Sequence, residues 1–409
     1  MQGQRLPDNI IRVTRARHVL IVVWAAGGNV VPAAGLAAAL TGRGHHVRVL
    51  GPPVLRSRFE RAGARFRPFE RARQPHLMEE EVFDDNLLGW TRFISGRRVA
   101  EDVMAELAAE RTDVAVVDGF LSAGLAAAEK SAVPTVALVH VLYGPAVEGP
   151  LATQWDPTRP LVEATRQHLG LPELDPGAPL MAGLWSRCAR VLACAPRSFD
   201  VPSADLPANH RYVGPILDDV AGSGGGPGSG GGTGSGGGTP VRSHPGHRTV
   251  LISMSTTDMR QRDVLQRSLD AVADLDASVV CTLGRVPIDG LRPPPNATVV
   301  DWLPHSELLP RTDVVVTHAG LSTVMAALAS GVPLVCMPMG RDQPLNARRV
   351  SALGLGIELP PAAGVGEIRS AVGTVLADAS FRQRATVMAE DIASYGNGAV
   401  AVREIESLR

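Results

Sequence analysis

Lysine is almost missing from this chain. Lys130 is the only one, and every other basic residue is arginine. Alongside the richness in Ala, Gly and Pro, that fits the coding bias of a high-GC genome and says nothing of function. Cysteine is also scarce. Cys188, Cys194, Cys281 and Cys336 are scattered and form no C-x-x-C pair, which argues against a structural zinc site or a disulfide framework. A reduced, cytoplasmic setting fits this usage. There is no excess of either charge: 40 basic residues face 41 acidic ones. A chain so balanced has no basic surplus to release counterions from a phosphate backbone, so no nucleic-acid partner is expected. Long apolar runs are absent too. Val19 to Ala26 follows Arg12, Arg15 and Arg17 as a signal peptide would, but Gly27, Gly28, Asn29 and Pro32 break it, and it is too short to span a bilayer. It reads as a first buried strand behind a flexible tail, 1–17, with no stable membrane insertion. Aromatic residues make up only 4% of the chain, so any concentration of them carries weight.

What remains is ample for a large core. The 409 residues are 45% hydrophobic and 20% charged. At roughly 150 residues per domain, that length predicts two or three domains. Continuous apolar runs at Val19–Trp24, Val47–Leu50, Val114–Val117, Thr135–Val139 and Val191–Ala193 read as strands covered on both faces. Between them, Pro32–Arg43, Val99–Arg111 and Ser122–Ser131 read as helices. The segment from Gly222 to Gly238 is almost pure Gly and Ser, a flexible coil. The alternation then restarts, with strands at Thr249–Met254, Ser278–Leu283, Thr298–Asp301, Asp313–Thr317 and Leu334–Met337. The reading is an α/β protein of two Rossmann-like domains: 18–215, a linker over 216–247, then 248–380, followed by a helical C-terminal segment, 381–409. Ligands of such sheets bind beyond the carboxyl ends of the strands, so two domains facing each other make one cleft.

The richest stretch runs from Asp301 to Ala347. A strand ends at Thr317, His318-Ala319-Gly320 makes a turn, and a helix opens at Leu321 with Ser322 and Thr323 in its first turn. Free backbone N–H groups and the positive end of the helix dipole converge there, a natural seat for a diphosphate. Alone, His318 reads as a turn histidine, Trp302 as core and Asp342-Gln343 as a solvated loop. In this order and context they resemble the nucleotide-sugar motif of family-one glycosyltransferases with the GT-B fold, as in bacterial natural-product enzymes. The resemblance implies that Trp302-Leu303 meets the nucleobase and that His318, Ala319, Gly320, Ser322 and Thr323 hold the diphosphate. It implies that Asp342-Gln343 binds sugar hydroxyls. It implies Ser255 and Thr256 near the donor phosphates, no metal, no cofactor beyond the sugar donor itself, and a C-terminal helix crossing back to the N-terminal domain.

Two departures from that pattern matter. The family usually carries an acid three positions after the Thr of the diphosphate turn, where it accepts hydrogen bonds from ribose hydroxyls. Here that position is Ala326. A dTDP-sugar loses less by this than a UDP-sugar. The family also usually reads Gly-His-x-x-Pro in its first βα turn, the His deprotonating the acceptor and a later Asp orienting it. Here the turn is Gly28-Asn29-Val30-Val31-Pro32, and Asp118 matches the Asp. An amide has no titratable base near neutral pH, though Asn29 can still position an acceptor. Three explanations stay open: an acceptor already acidic or nucleophilic, a carboxylate base such as Asp118, or an inactive homologue.

In the family the N-terminal domain wraps the acceptor. Met78, Phe83, Leu88 and Trp90, with Tyr143 after the fourth apolar run, are the residues this implies, around a small apolar natural product such as a polyketide or aromatic aglycone. The main reading is an inverting glycosyltransferase. C- or N-glycosyl transfer and a non-catalytic accessory protein are the alternatives. A lipid-docking relative would need the arginines from Arg56 to Arg73 as a free basic face. A homodimer and an auxiliary protein both stay open as partners.

Overall fold

The computed structural model describes residues 15–74, 83–149, 151–201, 205–218, 247–254, 259, 261–284 and 286–408, with the backbone alone over 83–88. The first seven strands are β1 (His18–Val22), β2 (His46–Gly51), β3 (Arg65–Pro68), β4 (Val114–Asp118), β5 (Thr135–Val139), β6 (Arg190–Ala193) and β7 (His210–Tyr212). They form one sheet in the order β3-β2-β1-β4-β5-β6-β7, every pair parallel. The second sheet takes β8 (Arg248–Ser253), β9 (Ala277–Thr282), β10 (Ala297–Val300), β11 (Val314–Thr317), β12 (Leu334–Cys336) and β13 (Gly356–Glu358) in the order β10-β9-β8-β11-β12-β13, again all parallel. In each sheet the order reverses beside the first strand, so each has a crevice at the carboxyl ends of its central strands. The central strands are mostly Val, Leu, Ile and Ala because helices cover both faces; β4 and β11 are buried along their whole length.

The helix Val30–Gly42 packs on the first sheet and receives the end of the chain. Ala401, Val402, Ile405 and Leu408 join its apolar cluster, while Ala385, Met388 and Ile392 of the preceding helix belong to the cluster of the second domain. The crossing occurs between the helices Ala379–Ser394 and Ala399–Ser407, where Asn397 and Gly398 both take positive φ. Residues 216–218, assigned from the sequence to the linker, are held firmly against the first domain. Ile216 is buried, Leu217 N–H donates to Asn397 Oδ1 at 2.7 Å, and Asp218 pairs with Arg58 at 2.7 Å. A Cβ at Gly35 would sit 2.7 Å from the Leu217 carbonyl oxygen, so only glycine lets this strand of chain cross the helix. The Gly/Ser tract Gly222 to Gly238 lies outside the described residues.

Most of the arginines from Arg56 to Arg73 are paired with acids rather than left as a free basic face. Arg56, Arg58, Arg65, Arg67 and Arg71 pair with Glu60, Asp218, Glu110, Glu106 and Asp102 respectively. Among the described residues, no helix is long and apolar enough to cross a membrane.

Candidate active site

The carboxyl ends of the two sheets face each other. Beyond β11 the chain turns through His318, Ala319 and Gly320 into the helix Leu321–Ala329. No side chain caps this helix, so its first N–H groups are left for a ligand. Ala319 holds φ at +65°, a conformation that costs an L-residue roughly 1–2 kcal/mol. Its carbonyl is held by Asn346 Nδ2 at 3.0 Å, and the same amide nitrogen donates to Asp342 Oδ2 at 2.9 Å. The Asn346 amide thus ties the turn to the Asp342-Gln343 pair. A Cβ on Gly320 would lie 2.6 Å from His318 Nε2, so glycine is required for the imidazole to lie across the turn. His318 is buried. Burial first, then the Arg341 charge, pushes its pKa down to about 4, so it meets a ligand as a neutral imidazole.

Trp302 and Leu303 are half-buried at the rim of the same domain, beyond β10. Gln343 is buried and its Oε1 accepts the Met339 N–H at 2.8 Å, whereas Asp342 retains an accessible edge. Ala326 is 8% exposed and packs in the apolar cluster of this domain, so its methyl offers a ribose no polar partner. Ser255 and Thr256 lie outside the described residues. Two further groups emerge that the motif did not mark. His305 Nε2 reaches Ser253 Oγ at 3.4 Å, and burial lowers its pKa. Arg341, at φ +57°, lays its guanidinium over the Trp90 ring of the other domain at 4.8 Å.

On the facing side, Asn29 and Asp118 meet. Asn29 Nδ2 donates to Asp118 Oδ2 at 2.8 Å and to the Trp24 carbonyl at 2.8 Å, while its Oδ1 accepts the Ala26 N–H at 3.1 Å. Both amide hydrogens are therefore spent, and the residue is only 1% exposed. In this bonding the Asn29 amide braces the Asp118 carboxylate. Asp118 Oδ1 accepts the Phe120 N–H at 3.0 Å. A residue unmarked by the sequence reading completes the group. His140, just past β5, places Nδ1 3.6 Å from Asp118 Oδ2. Its position at a strand's carboxyl end is the signal that would have found it.

The two sides touch. Ser322 Oγ, in the first turn of the diphosphate-type helix, donates to the Gly28 carbonyl at 2.9 Å. Of the residues expected around an acceptor, Trp90 reaches the cleft, edge-on to Trp24 at 5.6 Å and under Arg341. Phe83 and Leu88 lie on the helix Phe83–Ile94, whose backbone alone is described there; Met78 lies outside the described residues. Tyr143 is not brought to an open surface. It is 4% exposed, stacked on Trp185 at 5.8 Å and against His210 at 3.9 Å, and its N–H donates to Asp200. The Arg341–Trp90 contact is worth roughly 0.5–2 kcal/mol. Trp90→Leu should lower the urea midpoint by a loss in that range, and a midpoint unchanged from wild type would show that the contact adds nothing.

Among the described residues no group of three or more His, Cys, Asp and Glu could hold a metal ion. Residues 266–408 match the family described as erythromycin biosynthesis protein CIII-like, C-terminal domain. Demethyllactenocin mycarosyltransferase of Streptomyces fradiae is 28% identical over 426 residues, spanning 99% of this chain and 89% of its own. The glycotransferase of kitacinnamycin superposes with a TM-score of 0.77 at 22% identity, covering 96% of this chain and 99% of that one. The spinosyn rhamnosyltransferase SpnG complexed with thymidine diphosphate does so with a TM-score of 0.67 at 22% identity, over 95% and 100%. The architecture of both is two facing parallel-sheet domains, as here.

Proposed function

We propose that this chain, a glycosyltransferase of the GT-B fold with an erythromycin CIII-like C-terminal domain, transfers a sugar with inversion from a dTDP-sugar to a small apolar natural-product acceptor. One observation carries the reading: the uncapped helix Leu321–Ala329, entered through the strained Ala319 turn and the neutral His318, opens against the Asn29–Asp118 pair of the other domain. A diphosphate seated on that helix is the leaving group. Helix N–H groups, His318 and Thr323 stabilise the charge that builds on it as the glycosidic bond breaks. Trp302 and Leu303 hold the base, and Asp342 and Gln343 the sugar. The acceptor lies against Trp90 in the first domain and attacks from the face opposite the diphosphate. Closure of the cleft keeps water from the donor.

Preference for dTDP rests on Ala326, whose buried methyl leaves a 2′-hydroxyl unpaired at that place. The thymidine diphosphate held by the fold neighbour SpnG supports the same choice. Calorimetry on the full chain tests it. The expected result is dTDP binding several-fold tighter than UDP, with His318→Ala weakening dTDP by about 10-fold, or about 1.4 kcal/mol. Equal affinity for both nucleotides would remove the preference, and no binding of either would remove the donor site. The second reading, an accessory protein without turnover, draws on the closed amide of Asn29; transfer from dTDP-glucose to any acceptor would end it.

A further inference from the structure

We propose that His140 is the general base of this chain, taking the place of the histidine absent from the first βα turn. The proposal deepens the glycosyltransferase reading and rests on it.

Three groups compete for the role, and their surroundings separate them. Asn29 has no basic site, and both its N–H bonds point inward. Asp118 is basic, but each of its oxygens already accepts a hydrogen bond within the first domain, and its side chain is 4% exposed. His140 is the most open, at 17%, and borders a small crevice between the domains, walled by Ile216 and Leu217 on one side and by Leu321, Ser322 and Met325 on the other. An imidazole from one domain thus faces the first turn of the helix that receives the diphosphate in the other. In this proposal the acceptor hydroxyl and the anomeric carbon meet beside this ring.

The ring is also oriented. Its Nδ1 is buried without a hydrogen-bond partner, and the nearest carboxylate oxygen, Asp118 Oδ2, stands 3.6 Å away. A buried polar nitrogen left unpaired costs about 1–3 kcal/mol. A shift of a few tenths of an ångström would let Nδ1–H donate to Asp118, and catalytic hydrogen bonds are often this long before substrate binds. Phe120 packs edge-on against the ring, with centroids 5.2 Å apart, and limits its rotation. With the proton on Nδ1, the Nε2 lone pair is free for the crevice. Cys194 borders the same space, but burial raises its thiol pKa and keeps it protonated.

The step balances. The acceptor O–H proton moves to Nε2 as the acceptor oxygen forms a bond to the anomeric carbon. The bond from that carbon to the β-phosphate oxygen breaks, and its electron pair leaves with dTDP. The imidazolium, paired with Asp118, then returns its proton to solvent. Asn29 and Phe120 are positioning residues, since they act through Asp118 and the ring.

The test uses the full chain with dTDP-glucose and two acceptors, benzyl alcohol and 4-nitrophenol. In mildly alkaline buffer the phenol is already ionised and needs no base; the alcohol does. His140→Ala should cut kcat for the alcohol by about 10²–10³-fold and for the phenol by less than about 10-fold, with dTDP affinity unchanged. Added imidazole should restore part of the alcohol reaction. In wild type the nitrogen chemical shifts of the His140 ring should report the Nδ1–H tautomer. Equal losses on both acceptors, no loss on either, or an Nε2–H tautomer would overturn the proposal. A wild-type chain that binds no dTDP and glycosylates neither acceptor would instead overturn the function on which the proposal stands. That result differs from an active wild type with an unimpaired His140→Ala.

Discussion

Asp118→Ala should lower kcat by about 10³–10⁴-fold while leaving dTDP affinity within a few-fold of wild type. The carboxylate touches nothing in the diphosphate turn, so donor binding has no reason to change. It does receive Asn29 Nδ2 at 2.8 Å and the Phe120 N–H at 3.0 Å, and it faces His140 Nδ1 at 3.6 Å. Alanine removes the acceptor of both hydrogen bonds and the carboxylate that His140 faces. The imidazole then has nothing to fix its tautomer, and the imidazolium formed in the reaction has no counter-charge. Asp118→Asn is the sharper variant. An amide has one acceptor oxygen and brings two donors of its own, so it must face either Asn29 or the Phe120 N–H with an N–H group. That leaves a buried donor unsatisfied, at about 1–3 kcal/mol of stability, and the charge is still gone. Asp118→Asn should therefore lose rate and urea midpoint together. Full activity in a stable Asp118→Asn would show that the carboxylate takes no part in the reaction.

The sequence made the frame of the molecule readable where residues are continuous in kind. Strands β1, β4, β5, β8 and β11 are rich in Val, Leu, Ile and Ala and almost wholly buried, and their positions follow from that alone. The short edge strands β3, β7 and β13 were not legible. Arg65–Pro68, His210–Tyr212 and Gly356–Glu358 have too few apolar residues to stand out, and they form because a neighbouring strand offers its edge. The strand, turn and helix that carry His318 to Thr323 were legible because they are contiguous in the chain. On the facing side Asn29 and Asp118 stood out in the sequence, but their contact and the neighbouring His140 did not, because that group is assembled across the fold. Asn29, Asp118 and His140 lie at or beyond the carboxyl ends of three strands, adjacent only through the order β1-β4-β5. Their pattern in the chain shows the missing imidazole of the first turn and hides its replacement 111 residues later, counted from 29 to 140. The role of Asn29 was also hidden, since only packing shows that its amide is consumed by Trp24, Ala26 and Asp118.

Lowering the pH from about 6.5 to about 4 should destabilise the protein steeply, through two buried histidines. Burial, reinforced by Arg341, pushes the His318 pKa down to about 4; burial, reinforced by Arg211 and Arg197, does the same to His210. In the unfolded chain both titrate near 6.5. The sign follows from linkage. Between those values the unfolded state binds protons that the native state refuses, so stability is fully present above about 6.5 and is lost as pH falls towards 4. A displacement of this size is worth roughly 3 kcal/mol for each histidine. His210 has no hydrogen-bond partner on either nitrogen and packs between Tyr143 and Tyr212, so a proton there would be a buried charge without a counter-ion. His210→Phe keeps a ring in that slot and should flatten the urea midpoint across the window by its share. His318 should behave differently once ligand is present. A diphosphate beside the imidazole favours its charged form, so dTDP should raise stability more at about pH 5.5 than at 7, and its binding should take up a proton. Calorimetry in buffers of different ionisation enthalpy reads that proton directly. His318→Asn should abolish the uptake while leaving the His210 share of acid sensitivity intact. Binding with no proton uptake in the wild type at that pH would place the diphosphate away from His318, and with it away from the turn that defines the donor site.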